Sequence, residues 1–248
     1  MTDTHAHLDA CEEPASVLIQ RAREAGVSRV VTIGTGIDSC RAALAIVDEN
    51  DGVHAALGID PHRAGTNEAE RLDELRELLS HPKAVAVGET GLDNARQLAT
   101  PAVQRRLFEA QLELAAGLEL PVVVHSRDAE EGTAAALRGF TGTVILHCFS
   151  SPGLLVPALE RGYYVSFAGN ATYPRSADLR EAAAAVPDDR VLVETDSPYL
   201  APQPVRGRRN EPANLRHTIE VLAAVRGTTP EGLADQTHAN AAAAFGLP

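Results

Sequence analysis

Lysine is almost missing from this chain: of 22 basic side chains only Lys83 is a lysine, set against 34 carboxylates for a formal net charge of -12. So acidic a chain argues against a broad, sequence-independent grip on nucleic acid, which relies on a basic surface. Tryptophan is absent and aromatics make up 4% of residues, which leaves little on which a nucleic-acid base could stack and argues against tight DNA binding. Cys11, Cys40 and Cys148 are odd in number and widely spaced, which argues against a disulfide framework and fits a reducing compartment. None is placed as a nucleophile, and Cys148, which follows His147 on a strand, is expected to point out toward the helices as a small filler. No apolar run approaches the ~18 residues that a membrane span needs, and the amino terminus has no basic segment leading into an apolar one. The expectation is a cytoplasmic protein with no membrane contact and no evident obligate protein partner.

What the chain does have is a series of apolar runs that end in polar groups of one kind. The run Ala84 to Asp93, AVAVGETGLD, carries a carboxylate between two glycines, and strand alternation puts Val85, Val87 and Glu89 on one face. PVVVHS ends at His125, TVILHCF at His147 and RVLVETDSP at Asp196, while the amino terminus reads TDTHAHLD with His5 and His7. RVVTIGTG, VHAALGIDPH and YYVSFAG complete a set of eight strands. Helical patterns separate them: Pro14 to Gly26, Asp38 to Asn50, Asn67 to Ser80, Pro101 to Leu118, and segments near Ala129 to Leu137, Pro152 to Arg161 and Ala177 to Ala185. Glu211 to Arg226 and Pro230 to Phe245 read as closing helices. Strands apolar throughout are covered on both faces, so the pattern predicts an α/β fold, a (β/α)8 TIM-like barrel formed by one domain over residues 1–248. An open doubly wound sheet is the alternative, but no G-x-G-x-x-G follows the first strand.

In such a barrel the site lies at the carboxyl ends of the strands, where these ligand-type residues fall. His5 and His7, two apart on strand one, project to the same side and can chelate one ion; Asp196, from the neighbouring strand eight, would complete it. His125 and His147, on adjacent strands five and six, would hold a second ion, with Glu89 placed to bridge the two. His54, His81, His217 and His238 lack such placement and read as structural or exposed.

The motifs DTHAHLD, GIDPH, GETGLD, PVVVHSRDA, LHCFS, ETDSPYL and RGRRNEP, in this order and at about this spacing, resemble the TatD-like metal-dependent hydrolases of the amidohydrolase superfamily. The resemblance covers nearly the whole chain. It implies a TIM-like barrel and a dinuclear divalent centre, with Mg2+, Mn2+ or Zn2+ held by His5, His7 and Asp196 on one side, His125 and His147 on the other, and Glu89 on both. It also implies a deoxyribonuclease acting from DNA ends; the alternative is a D-aminoacyl transfer RNA deacylase or another ester or amide hydrolase on the same site. Relatives that bridge their metals with a carbamylated lysine need a lysine at a strand end, whereas Lys83 lies before strand four, at the opposite end of the barrel. The chain departs from the family at Asp60, usually histidine, at Asn94, usually aromatic, and at Ser151, often glycine.

Two ions would activate a water against a phosphodiester, with Asp196 taking its proton as the catalytic base. His62, Arg127 and Arg206 are candidates for holding the phosphate or its leaving oxygen. Each also has a plainer reading: His62 as a structural residue, Arg127 as a partner of Asp128, and Arg206 as part of the solvated loop Arg206-Gly-Arg-Arg209. Glu194, one layer below Asp196, is expected to accept a hydrogen bond from a ligand histidine or nearby backbone, and Asp3 beneath His5 likewise.

Overall fold

A computed structural model describes residues 1–96 and 98–247. Eight strands form one parallel sheet in sequential order: β1 Thr2–Ala6, β2 Arg29–Gly34, β3 Val53–Leu57, β4 Ala84–Asp93, β5 Val122–Arg127, β6 Val144–Leu146, β7 Tyr164–Phe167 and β8 Val191–Val193. The sheet closes where β8 returns to β1. Thr4 donates to the Val193 carbonyl at 2.9 Å, Asp196 N–H to His5 at 2.9 Å and His7 N–H to Ser197 at 2.7 Å. The (β/α)8 barrel of the sequence pattern is the observed fold. Its outer layer comprises α1 Ala15–Glu24, α2 Ile37–Glu49, α3 Leu72–Leu78, α4 Pro101–Leu118, α5 Glu130–Leu137, α6 Leu155–Glu160, α7 Ala177–Ala185, α8 Leu215–Arg226 and α9 Pro230–Phe245.

Two apolar layers hold the barrel. Inside, Val31, Ile33, Val123, Ile145 and Leu192 meet Ala241, Ala244 and Phe245 of α9. Asn240 of α9 donates to the carbonyls of Asp188 and Val191 at the start of β8, so this helix plugs the amino end of the barrel. Outside, strand residues such as Val30, Leu57, Val122 and Val165 pack under the helices. α4 shows how a helix begins and what it secures. Thr100 caps it by accepting from Val103 N–H, and Pro101 opens it at a position where a missing N–H costs nothing. From its buried face Gln111 brackets the Ile59 backbone and reaches Thr90, while Gln104 brackets Asp93. Two buried amides thus fix the carboxyl ends of the loop after β3 and of β4, and each amide satisfies backbone groups that would otherwise be stranded.

Three expectations are corrected. First, Val85, Val87 and Glu89 do not share a face: Val85 and Ala86 both belong to the inner cluster and Val87 to the outer one. β4 is irregular, its register shifting against β3 between Ala55 and Ala56 and against β5 between Val87 and Thr90. Second, Asn67 to Ser80 is not one helix. Thr66 caps a short 3-10 turn at Asn67–Glu70 by accepting from Glu68 N–H, and α3 starts afresh at Leu72. Third, Cys148 does not point out to the helices. Its backbone is left-handed (φ 44°), which breaks strand alternation, and it lines the central cavity. Burial and neighbouring carboxylates push its thiol well above the ordinary range.

Candidate metal centre

Short strands deliver the ligand-type residues. β1, β6 and β8 end at Ala6, Leu146 and Val193, so His7, His147 and Asp196 sit just past the sheet, while Glu89 and His125 lie within β4 and β5. Asp196 is itself left-handed (φ 55°) and fixed by its N–H bond to His5. Glycines bracket Glu89. Gly88 (φ 146°) and Gly91 (φ 138°) run so close to β5 that an added Cβ would lie 2.6 Å from the Val123 carbonyl oxygen and 2.0 Å from that of His125. Only glycine permits both the backbone angle and the approach.

The six residues converge. Glu89 Oε2 is 3.6 Å from His5 Nε2 and 3.7 Å from His7 Nε2. His7 Nε2 is 3.3 Å from Asp196 Oδ1 and 3.2 Å from His5 Nε2. On the other side, Glu89 Oε1 is 2.8 Å from His125 Nδ1 and 3.1 Å from His147 Nε2, which are 3.2 Å apart. Each oxygen of Glu89 therefore faces one pair of imidazoles. Atoms bound ~2.0 to 2.2 Å from one tetrahedral ion lie about 3.3 to 3.6 Å from one another. The observed edges are near that range, and the donor set of imidazole nitrogen and carboxylate oxygen suits divalent ions, so the residues fit a two-metal centre.

The electrostatics of the bare cluster are those of paired opposite charges. Burial alone would raise the Glu89 carboxyl, yet the charge on His147 and hydrogen bonds from His125 and His147 hold it well below the usual carboxylate range. Burial disfavours charge on His147 as well, but Glu89 and Glu194 hold it well above the ordinary imidazole value. His7 and His125 are raised against their burial by Asp196 and by Asp93 with Glu89, and Asp196 is lowered against its burial by His7. His5, fully buried and stacked on His147 at 3.9 Å, is lowered by burial and by that neighbour.

Around the cluster, Glu194 Oε1 accepts from Cys148 N–H at 2.8 Å and lies 3.3 Å from His147 Nδ1, the position expected for it. Asp3 accepts from Thr195 N–H at 2.9 Å and from His5 N–H at 3.3 Å, again as expected; burial pushes its carboxyl up to about 7. The cluster opens into a cavity of about 710 Å3 whose wall includes Arg63, Arg96, Arg127 and His62. Arg206 is not brought there: its guanidinium lies 3.9 Å over the ring of Tyr173. One residue the sequence reading passed over is central. Asp93 Oδ2 is 2.9 Å from His62 Nε2 and 3.3 Å from His125 Nε2, and its other oxygen accepts from the N–H groups of Ala95 and Arg96. It stands in the GLD of strand four, four residues after Glu89, and that spacing was the available signal. Asp60 contacts His62 Nδ1 at 3.1 Å and caps Arg63, and Asn94 donates to the Asp128 carbonyl at 2.8 Å. Of the four other histidines, three have partners elsewhere, His81 with Asp48, His217 with Glu220 and His238 with Thr2, while His54 Nδ1 is buried without a hydrogen-bond partner among the described residues.

A family model described as TatD related DNase matches residues 2–246. The chain is 38% identical over its whole length to an uncharacterized metal-dependent hydrolase, TatD, of Mycobacterium tuberculosis, covering 98% of that protein. It is 36% identical to the 3'-5' ssDNA/RNA exonuclease TatD of Erwinia billingiae, over 93% of this chain and 92% of the relative. Among solved structures, the TatD homologue YjjV of Escherichia coli K12 superposes with a TM-score of 0.93 at 29% identity, covering 100% of this chain and 98% of that one.

Proposed function

The chain belongs to the TatD-related DNase family and is a metal-dependent hydrolase, and from that premise we propose that it removes nucleotides from the ends of single-stranded DNA by a two-metal activated water. The observation that carries the reading is Glu89, whose two carboxylate oxygens face two separate pairs of imidazoles at 2.8 to 3.7 Å. His5, His7 and Asp196 would hold one ion and His125 and His147 the other, with Glu89 on both. Two divalent ions so held would supply acidity to a water and offset the charge of the phosphate. Asp196 would accept the proton of that water, because two adjacent cations would keep its carboxylate ionised and it borders the cavity. His62, oriented by Asp60 and Asp93, and Arg127 hold the phosphate; Arg63 and Arg96 share the same wall. The name of the Erwinia billingiae relative supports a single-stranded substrate. So does the burial of the cluster: a phosphate must leave the surface to reach it, which a strand end does more readily than a paired backbone. The reading takes the chain as one barrel domain acting in the cytoplasm, in keeping with three unpaired cysteines. Among the described residues no helix is long and apolar enough to cross a membrane.

The test is release of mononucleotides from a single-stranded oligodeoxynucleotide by protein reconstituted with magnesium, manganese or zinc. The expected result is hydrolysis abolished by a chelator and slowed ~10²-fold or more by Asp196→Asn. No hydrolysis with any of the three metals overturns the reading and moves D-aminoacyl transfer RNA to the front as substrate.

A further inference from the structure

Aromatic rings are scarce in this chain, and the barrel uses most of them internally. All five phenylalanines, together with Tyr163 and Tyr164, are buried. Tyr173 is half-buried; one face is covered by the Arg206 guanidinium, and its hydroxyl donates to the Ala201 carbonyl at 3.0 Å. That leaves Tyr199, 54% exposed, which lines the central cavity and sets its ring edge-on to His7 with centroids 5.7 Å apart. A single exposed aromatic ring is ordinary on a protein surface and by itself argues nothing. Its position and the fixed backbone beneath it are what argue. The backbone carrying it is pinned on both sides: Tyr199 N–H donates to the Asp196 carbonyl at 2.8 Å. Asn210 donates to the carbonyls of both Thr195 and Tyr199 at 2.8 Å. Ser197 is tied to β1 through His7 N–H. The backbone beneath the ring is thus fixed beside a ligand-type histidine, and the exposed ring borders the cavity.

We propose that Tyr199 is a stacking platform for the base of the nucleotide whose phosphate is bound at the cluster, so that the enzyme selects ends whose base is free to leave its neighbours. This rests on the nuclease reading above and deepens it. Stacking tolerates every base, because each has a π face, and an aromatic platform of this kind is worth about 5- to 150-fold in binding. A terminal base held in a duplex must break its pair and leave its neighbour before it can follow its phosphate into the cavity and meet the ring, so the platform favours unpaired ends without reading sequence. It also gives this acidic, lysine-poor chain a grip on nucleic acid that does not depend on a basic surface.

The test compares kcat and KM of metal-loaded wild type, Tyr199→Phe and Tyr199→Ala on two single-stranded oligodeoxynucleotides, one with an intact terminal residue and one whose terminal residue lacks its base. Wild type and the Phe variant should lose about 5- to 150-fold in kcat/KM on losing the base, chiefly through KM. The Ala variant should show that loss on the intact end and be nearly indifferent to the missing base, with kcat little changed. An Ala variant that still discriminates as wild type does, or a Phe variant as defective as Ala, overturns the platform alone. Failure of wild type to cleave either oligonucleotide overturns the nuclease reading and the platform with it.

Discussion

At the scale of single residues the centre is a set of charges that wait for a cation. His7, His125 and His147 have raised pKa values and Glu89 and Asp196 lowered ones, so the metal-free protein holds protonated imidazoles against carboxylates. A raised imidazole pKa stabilises the metal-free fold below the unfolded value of about 6.5, and that contribution is lost as pH rises through the folded value. A divalent ion needs the neutral ring, so its binding expels these protons and strengthens over the same rise. The increase in Tm on adding metal should therefore be larger at about pH 9 than at about pH 6, read from melts with metal and with chelator; an equal or smaller increase at high pH contradicts the assignment. Four of the six ligand-type residues, Glu89, His125, His147 and Asp196, were legible because each lies at the end of an apolar run, and His5 and His7 because they stand two apart at the start of the chain. Asp93 left only a weak mark, its four-residue spacing from Glu89, and Tyr199 left none, because whether a tyrosine is buried depends on packing that composition does not report.

At the scale of elements, β4 sets the geometry. Its two glycines let the backbone pass against β5, which brings Glu89 between the imidazoles of β1 and those of β5 and the loop after β6. Gly91→Ala should destabilise by ~3 kcal/mol or more, since its Cβ would meet the His125 carbonyl at 2.0 Å in a conformation that suits only glycine. Gly117→Ala, in α4 with nothing within 4 Å, should instead stabilise by about 0.5 to 1 kcal/mol. Urea denaturation of both variants checks the pair; similar effects at the two positions would contradict the account. The number, order and type of the strands were readable because buried parallel strands and amphipathic helices leave unlike patterns. The irregularity of β4 was not readable. Strand parity assumes an even pleat, and Glu89 reached the interior despite the failure of that assumption at Val87.

At the scale of the whole molecule, an acidic chain with the proposed function would concentrate its attraction for phosphate in one cavity. The helix-covered wall, the α9 plug and the tie between β8 and β1 hold ligands drawn from residues 5 to 196 within a few ångströms of one another. The central claim is that Glu89 joins two metal half-sites, and metal content per folded chain, measured by mass spectrometry on wild type and Glu89→Ala after equilibration with zinc, tests it most directly. The account predicts close to two ions in wild type and one or fewer in the variant, with an unchanged far-ultraviolet circular dichroism spectrum. A folded variant that retains two ions would contradict it.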